Sequence, residues 1–146
     1  MLRTIKSIVG VTLLEIMLVL AIAAMVIIMS VRYYQSSTTS QQANSVMQSI
    51  QAIQAAVDNI AQGGGGTYSA VTSTILTSVM GSAAMKTPTN QPIVFTATGE
   101  STYTISMPLN EAVCTSVSAK LAANPKFSGV GCTSGTLAYT YDSTAG

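Results

Sequence analysis

The sequence predicts an α+β protein in which one long N-terminal helix precedes a small mixed head. Three observations carry that expectation. Apolar residues make up 48% of the 146, yet aromatics only 5%, and the aliphatic excess is concentrated in the first fifth of the chain. Nothing breaks a helix between residues 11 and 62, because the first Gly after Gly10 is Gly63 and the first Pro is Pro88. Beyond that point, capped apolar periods and alternating runs follow one another, as in a small domain of short helices and strands.

Residues 11–31 read VTLLEIMLVLAIAAMVIIMSV, with Glu15 as the only charge and residues 16–29 free of any polar side chain. As a helix this stretch spans about 30 Å, the hydrocarbon thickness of a bilayer. Ahead of it, MLRTIKSIVG carries Arg3 and Lys6 and no acid, while Arg32 marks the far end. That bias predicts a cytoplasmic amino end, with the remainder of the chain outside the cytoplasm. A secretory signal would have a shorter apolar run ending at a small-residue cleavage site. Here the short basic segment closes at Gly10 before the apolar run begins, so leader and anchor read as separate pieces. The predicted organisation is a leader over 1–10, a stem helix over 11–62 and a head over 63–146. Within the stem, 11–31 is transmembrane and 32–62 amphipathic.

The amphipathic half has its own period. Val46, Ile50, Ile53, Val57 and Ile60 recur at spacings of four, three, four and three, with Ala43 extending the series, a narrow stripe suited to packing on the head. Adjacent faces would be available for stem-to-stem packing. The join at 35–42 is Ser, Thr and Gln, weak helix formers on average, so local unwinding there competes with one continuous helix of about 50 residues. The continuous helix, roughly 75 Å long, is the expectation.

Glycines 63–66 stop the stem and form a connector. They lack the Gly-Lys-Ser/Thr ending and the preceding strand of a phosphate loop. Thr67 or Ser69 then caps a helix that places Val71, Ile75, Leu76, Val79 and Met80 on one face and ends near Gly81. After a polar loop over 86–92, strands over 93–98 and 101–107 flank Gly99-Glu100, a pair that fits a type II′ hairpin turn. Asn110 caps a helix over 111–123 with Val113, Val117 and Leu121 on one face, closed by Asn124-Pro125. A Gly-broken loop follows, then a last strand over 136–141 with Leu137, Tyr139 and Tyr141 alternating.

Composition excludes several functions. There is no His, which removes the commonest general base and transition-metal ligand. Glu100 and Glu111 belong to a turn and a helix start, and no base is available to activate a Ser or Thr, so no catalytic or cofactor site can be assembled and the chain reads as a non-enzyme. Lys86, Lys120 and Lys126 are scattered, solvated charges, and the six cations form no stripe for nucleic acid. Arg32 with Tyr33-Tyr34 suits the membrane surface. Cys114 in the second head helix and Cys132 in the loop after it would pair as a disulfide in an exported domain; two free thiols or a redox pair are the alternatives. Two Cys without His do not make a metal site.

The run Gly10-Val11-Thr12-Leu13-Leu14-Glu15-Ile16-Met17 resembles the processing site of type IV prepilins and pseudopilins. The resemblance couples a basic leader, a Gly, an acid at the fifth position after it, an apolar anchor and an uninterrupted amphipathic helix in that order. It implies a pilin-like fold: a helical stem packed on a small antiparallel sheet with short helices and a disulfide near the carboxyl end. It also implies cleavage between Gly10 and Val11 by a prepilin peptidase and N-methylation of Val11. The implied product is a helical homopolymer with Leu13, Leu14, Ile16, Leu18, Val19 and Leu20 in the filament core. The precursor would sit in a bacterial inner membrane, its partner there the lipid bilayer and its head in the periplasm. An assembly platform and ATPase would then extract it into an extracellular pilus. Val11 in place of Phe, and a stem without Pro, look closer to the type IVb branch, although the ten-residue leader is shorter than that branch's habit. A minor pilin or pseudopilin, priming assembly or driving secretion, is the near alternative, and a membrane-anchored, non-polymerising binding module the further one.

Glu15 has a physical reading of its own. A lone carboxylate in an apolar run costs a few kcal/mol inside a bilayer, so it must reach the interface, carry a proton or find a partner. Cleavage after Gly10 would create an amine four residues away, in the same or a neighbouring subunit. Pairing with it would set the register of one stem on the next, much as one polar position fixes a coiled coil. The plainer alternative is that Glu15 only reaches headgroup water.

Overall fold

The computed structural model describes residues 12–146. The chain divides into two units, Met1–Ser37 and Thr38–Gly146. A single helix, α1 (Leu13–Gly63), supplies the described part of the first unit and enters the second, and its backbone stays helical through 35–42. Its N-terminal portion is long and apolar enough to cross a membrane, with a mean hydropathy of 2.7 in its most apolar window.

The second unit is the predicted α+β arrangement. A 3-10 turn (Tyr68–Ala70) and α2 (Ser73–Met80) follow the stem, then β1 (Val94–Ala97), β2 (Thr102–Pro108), α3 (Glu111–Ala122), β3 (Phe127–Thr133) and β4 (Thr136–Asp142). The four strands form one antiparallel sheet in the order β1-β2-β4-β3. Alternation dictates its two faces. Tyr103, Ile105 and Met107 of β2 and Leu137, Tyr139 and Tyr141 of β4 are buried, while the residues between them are half-exposed. Onto the buried face pack Ala43, Val46, Ile50, Ile53 and Val57 of α1, together with Val113, Val117 and Leu121 of α3, in one continuous core.

Five local expectations are corrected. The cap of α2 is Thr72, whose hydroxyl accepts the Ile75 amide at 3.3 Å, and not Thr67, which precedes the 3-10 turn, or Ser69, which lies within it. Nor does one apolar face form there: Leu76 is fully buried, whereas Ile75 and Val79, one turn apart on an adjacent face, are exposed. Between β1 and β2 the loop is a residue longer than a two-residue turn. Ala97 pairs with Tyr103, the Thr98 and Gly99 amides both donate to the Thr102 carbonyl, and Gly99 lies outside the positive φ that a II′ turn needs. The core sets that register, because a one-residue slip would turn Phe95 out and Val94 in, and it is Phe95 that is buried.

The segment expected to be a Gly-broken loop is a strand. β3 pairs along β4 with a register shift between Ser128 and Gly131, so two residues there oppose one. Cys132 therefore stands in a strand. The hairpin turns on Ser134 and Gly135, both at positive φ, and the Gly135 carbonyl accepts the Leu109 amide at 2.7 Å. A Cβ at Gly135 would come within 3.2 Å of the Leu109 carbonyl, so the turn needs glycine for space as well as for backbone shape.

All six aromatic residues of this unit form one chain of ring contacts. Tyr103 meets Tyr68, Phe95 and Tyr141 at centroid distances of 5.2, 5.3 and 5.1 Å, and Phe127 meets Tyr139 and Tyr141 at 5.4 Å each. Burial holds the Tyr103 and Tyr139 phenols well above the ordinary tyrosine range. Their protons stay on in the folded chain but leave near pH 10 in the unfolded one. Stability is thus intact below that pH and falls above it, by about 2.7 kcal/mol per pH unit for the two together. In an alkaline titration, part of the tyrosinate absorbance should rise only with the cooperative loss of near-ultraviolet dichroism. Smooth ionisation of all six tyrosines with the fold intact would contradict this burial.

Candidate functional site

Gly10 and Val11, the expected cleavage and methylation positions, lie outside the described residues. The described chain begins with Thr12, which caps α1. Its carbonyl accepts the Glu15 and Ile16 amides at 2.9 and 3.2 Å, and its hydroxyl lies 3.4 Å from the Glu15 amide. Thr12 and Glu15 thus have the spacing of a capping box, a signal readable in Thr12-Leu13-Leu14-Glu15 and absent from the expectations above. An acid in the first turn also favours the positive end of the helix dipole.

Beyond the cap, the expected filament-core side chains are uncovered among the described residues. Leu13 and Leu14 are 77% and 76% exposed, and Ile16, Leu18, Val19 and Leu20 between 49% and 62%. The same holds for Met25, Val26, Ile27, Ile28 and Met29, so every face of the segment is apolar and bare. In water that surface is unfavourable by about 25 cal/mol per Å2, and only lipid or other apolar helices can match it all round.

Within the second unit, the predicted stripe lies where expected: Val46, Ile50, Ile53 and Val57 are buried, and Ile60 is half-buried against the core while Ala61 completes the buried row. Polar side chains flank it and tie the helix to the head. Lys120 Nζ donates to Asn44 Oδ1 at 3.0 Å, Gln54 Nε2 to the Tyr141 hydroxyl at 2.9 Å, and the Tyr68 hydroxyl to Asp58 Oδ1 at 2.6 Å. Burial first, and the bond to Asp58 second, push the Tyr68 phenol up, which keeps it a donor. The stem's own head partners were not legible locally, since they stand as far as 87 positions away.

Cys114 and Cys132 form a disulfide with Cα atoms 6.0 Å apart. It fastens α3, whose start is capped by Asn110 accepting the Ala112 amide at 3.2 Å, to the edge strand β3. Closing that loop is worth about 3 kcal/mol in the chain-entropy account. Reduction, or alanine at both positions, should lower the head's melting temperature by roughly 10 °C or more. Equal melting curves with and without reductant would remove the bond from the stability of the head.

Comparison with protein-family models, with curated proteins and with solved structures finds no match to this chain. Among the described residues, no group of three or more His, Cys, Asp or Glu is placed to hold a metal ion.

Proposed function

We propose that this chain is a pilin, the structural subunit of a type IV filament, cut between Gly10 and Val11 and polymerised through its apolar stem. The observation that carries this reading is the bare, all-round apolar surface of residues 13–31, which begins directly after a capped turn holding the segment's only charge. A simple lipid anchor would use that carboxylate only as a first-turn acid at the membrane surface. A stem that exchanges lipid for its neighbours has a further use for it, because the acid can select one axial position among many apolar ones that are otherwise nearly equivalent.

In this reading the stems are the filament core and the disulfide-fastened head is the shell. The precursor waits in an inner membrane with its head on the periplasmic side, and prepilin peptidase, an assembly platform and an ATPase act on it in turn. Processing removes the leader and leaves an amine four residues before Glu15. No catalytic step is assigned to the chain, and no cofactor is invoked.

Shearing the host's cells and examining the released material by immuno-electron microscopy tests the reading. Thin filaments decorated along their length by antibody to the head are expected. Antibody at filament tips alone would make the chain a minor pilin. Its confinement to membranes in a host with active prepilin peptidase would make it an anchored binding module.

A further inference from the structure

A polar cleft of about 290 Å3 opens where the last turns of α1 meet the 3-10 turn, the start of β3 and the residues after β4. Asp58, Gln62, Lys126 and Ser143 line it together with the buried Tyr68 and Tyr141. The two charges face the same space without meeting, for no ion pair within 4.0 Å joins Asp58 and Lys126. The Asp58 carboxylate takes the Tyr68 hydroxyl through Oδ1, with no hydrogen bond to Oδ2 among the described residues, and Lys126 Nζ makes no hydrogen bond to a described residue.

We propose that this cleft binds a small zwitterion, a free α-amino acid, with its ammonium on Asp58 and its carboxylate on Lys126. The physical case is charge complementarity. A carboxylate and an ammonium that line one cleft without pairing are both satisfied by one molecule that carries the opposite pair, whereas a singly charged ligand leaves one of them unmatched. An uncharged sugar uses neither charge. The volume sits at the small end of ligand sites and suits a molecule of a few heavy atoms. Gln62 and Ser143 add neutral hydrogen-bonding groups at the rim. Because the cleft is open and exposed pairs are weak, the affinity should be of millimolar order. None of this depends on whether the chain polymerises.

An ammonium and an anion a few bonds apart is also the chemistry of a phosphoethanolamine headgroup, so the test separates the two sources. The full chain, 15N-labelled in an uncharged polyoxyethylene detergent, is titrated with L-alanine, glycerophosphoethanolamine, alanine amide, N-acetylalanine and galactose while the Gly66 and Ser143 amides are followed. L-alanine should shift both saturably. The singly charged analogues should bind more weakly by up to about fivefold, the factor expected for loss of one exposed charge pair, and galactose more weakly still. D58N, which keeps an acceptor for Tyr68, and K126Q, at an exposed position, should each cost a similar factor while the α3 amides stay unmoved. Saturation by glycerophosphoethanolamine alone would assign the cleft to a lipid headgroup and overturn the amino-acid assignment. No saturable shift with either zwitterion, equal binding of the singly charged analogues, or unchanged affinity in both variants would overturn the site.

Discussion

Glu15→Ala should abolish filaments while leaving the head folded. The carboxylate is the only charge between residues 11 and 31, and a charge left without its partner in an apolar packing interface costs about 3–5 kcal/mol. In the filament reading, removing the acid would strand the new amine of each subunit in that position. Even the lower figure weakens each subunit addition by more than about a hundredfold. Sheared filament per cell is the quantity to measure, with membrane-bound precursor as the control for expression. Glu15→Gln separates the two roles of the residue. Glutamine keeps the capping-box spacing with Thr12 but carries no charge. If pairing sets the register, Glu15→Gln fails like Glu15→Ala; normal filaments from Glu15→Gln would reduce Glu15 to a helix cap.

The second large effect belongs to the opposite end of the stem. Ile53 is wholly inaccessible at the centre of the buried stripe, flanked by Ile50 and Val57. Truncation to Ala removes the transfer energy of the lost methylenes and leaves a cavity, together about 2–5 kcal/mol. For a unit of this size that lowers the melting temperature by about 10 °C or more. The tyrosine near-ultraviolet dichroism reports it, because those rings line the same core. Leu18→Ala is the counterpart, a residue 57% exposed on the bare segment. It should leave the head's melting unchanged, so equal effects from the two variants would show that the stem and head do not divide the work in this way.

How much of this was legible in the sequence follows from where each signal resides. The anchor, the stripe from Val46 to Ile60, the Asn110 cap and the alternation of β2 and β4 are local patterns of period 3.6 or 2, and the structure repeats them. β3 was missed because Phe127-Ser128-Gly129-Val130-Gly131-Cys132-Thr133 has two glycines and no clean alternation. What makes it a strand is its neighbour β4 and a tight turn at Ser134-Gly135, the one local cue that could have announced the hairpin. The turn between β1 and β2 was read a residue short, since local chemistry favoured Gly99-Glu100 while burial of Phe95 decided the register. In α2 the apolar residues exceed what the core can cover, so Ile75 and Val79 remain outside. The cleft has no sequence signature, because Asp58 on α1, Tyr68 in the 3-10 turn, Lys126 before β3 and Ser143 after β4 meet only in the folded unit. Of the association surface, composition revealed the extent; the Thr12 cap and its spacing to Glu15 emerged with the helix start.

The central claim is that the chain is processed between Gly10 and Val11 and exported as a disulfide-bonded subunit. Intact-mass spectrometry, with and without reductant, on the sheared surface fraction and the membranes of the native host tests it most directly. A species that begins at Val11, carries one added methyl group and gains two hydrogens on reduction is expected, abundant in the sheared fraction. A full-length, unmethylated chain confined to membranes, in a host whose prepilin peptidase is active, would contradict it.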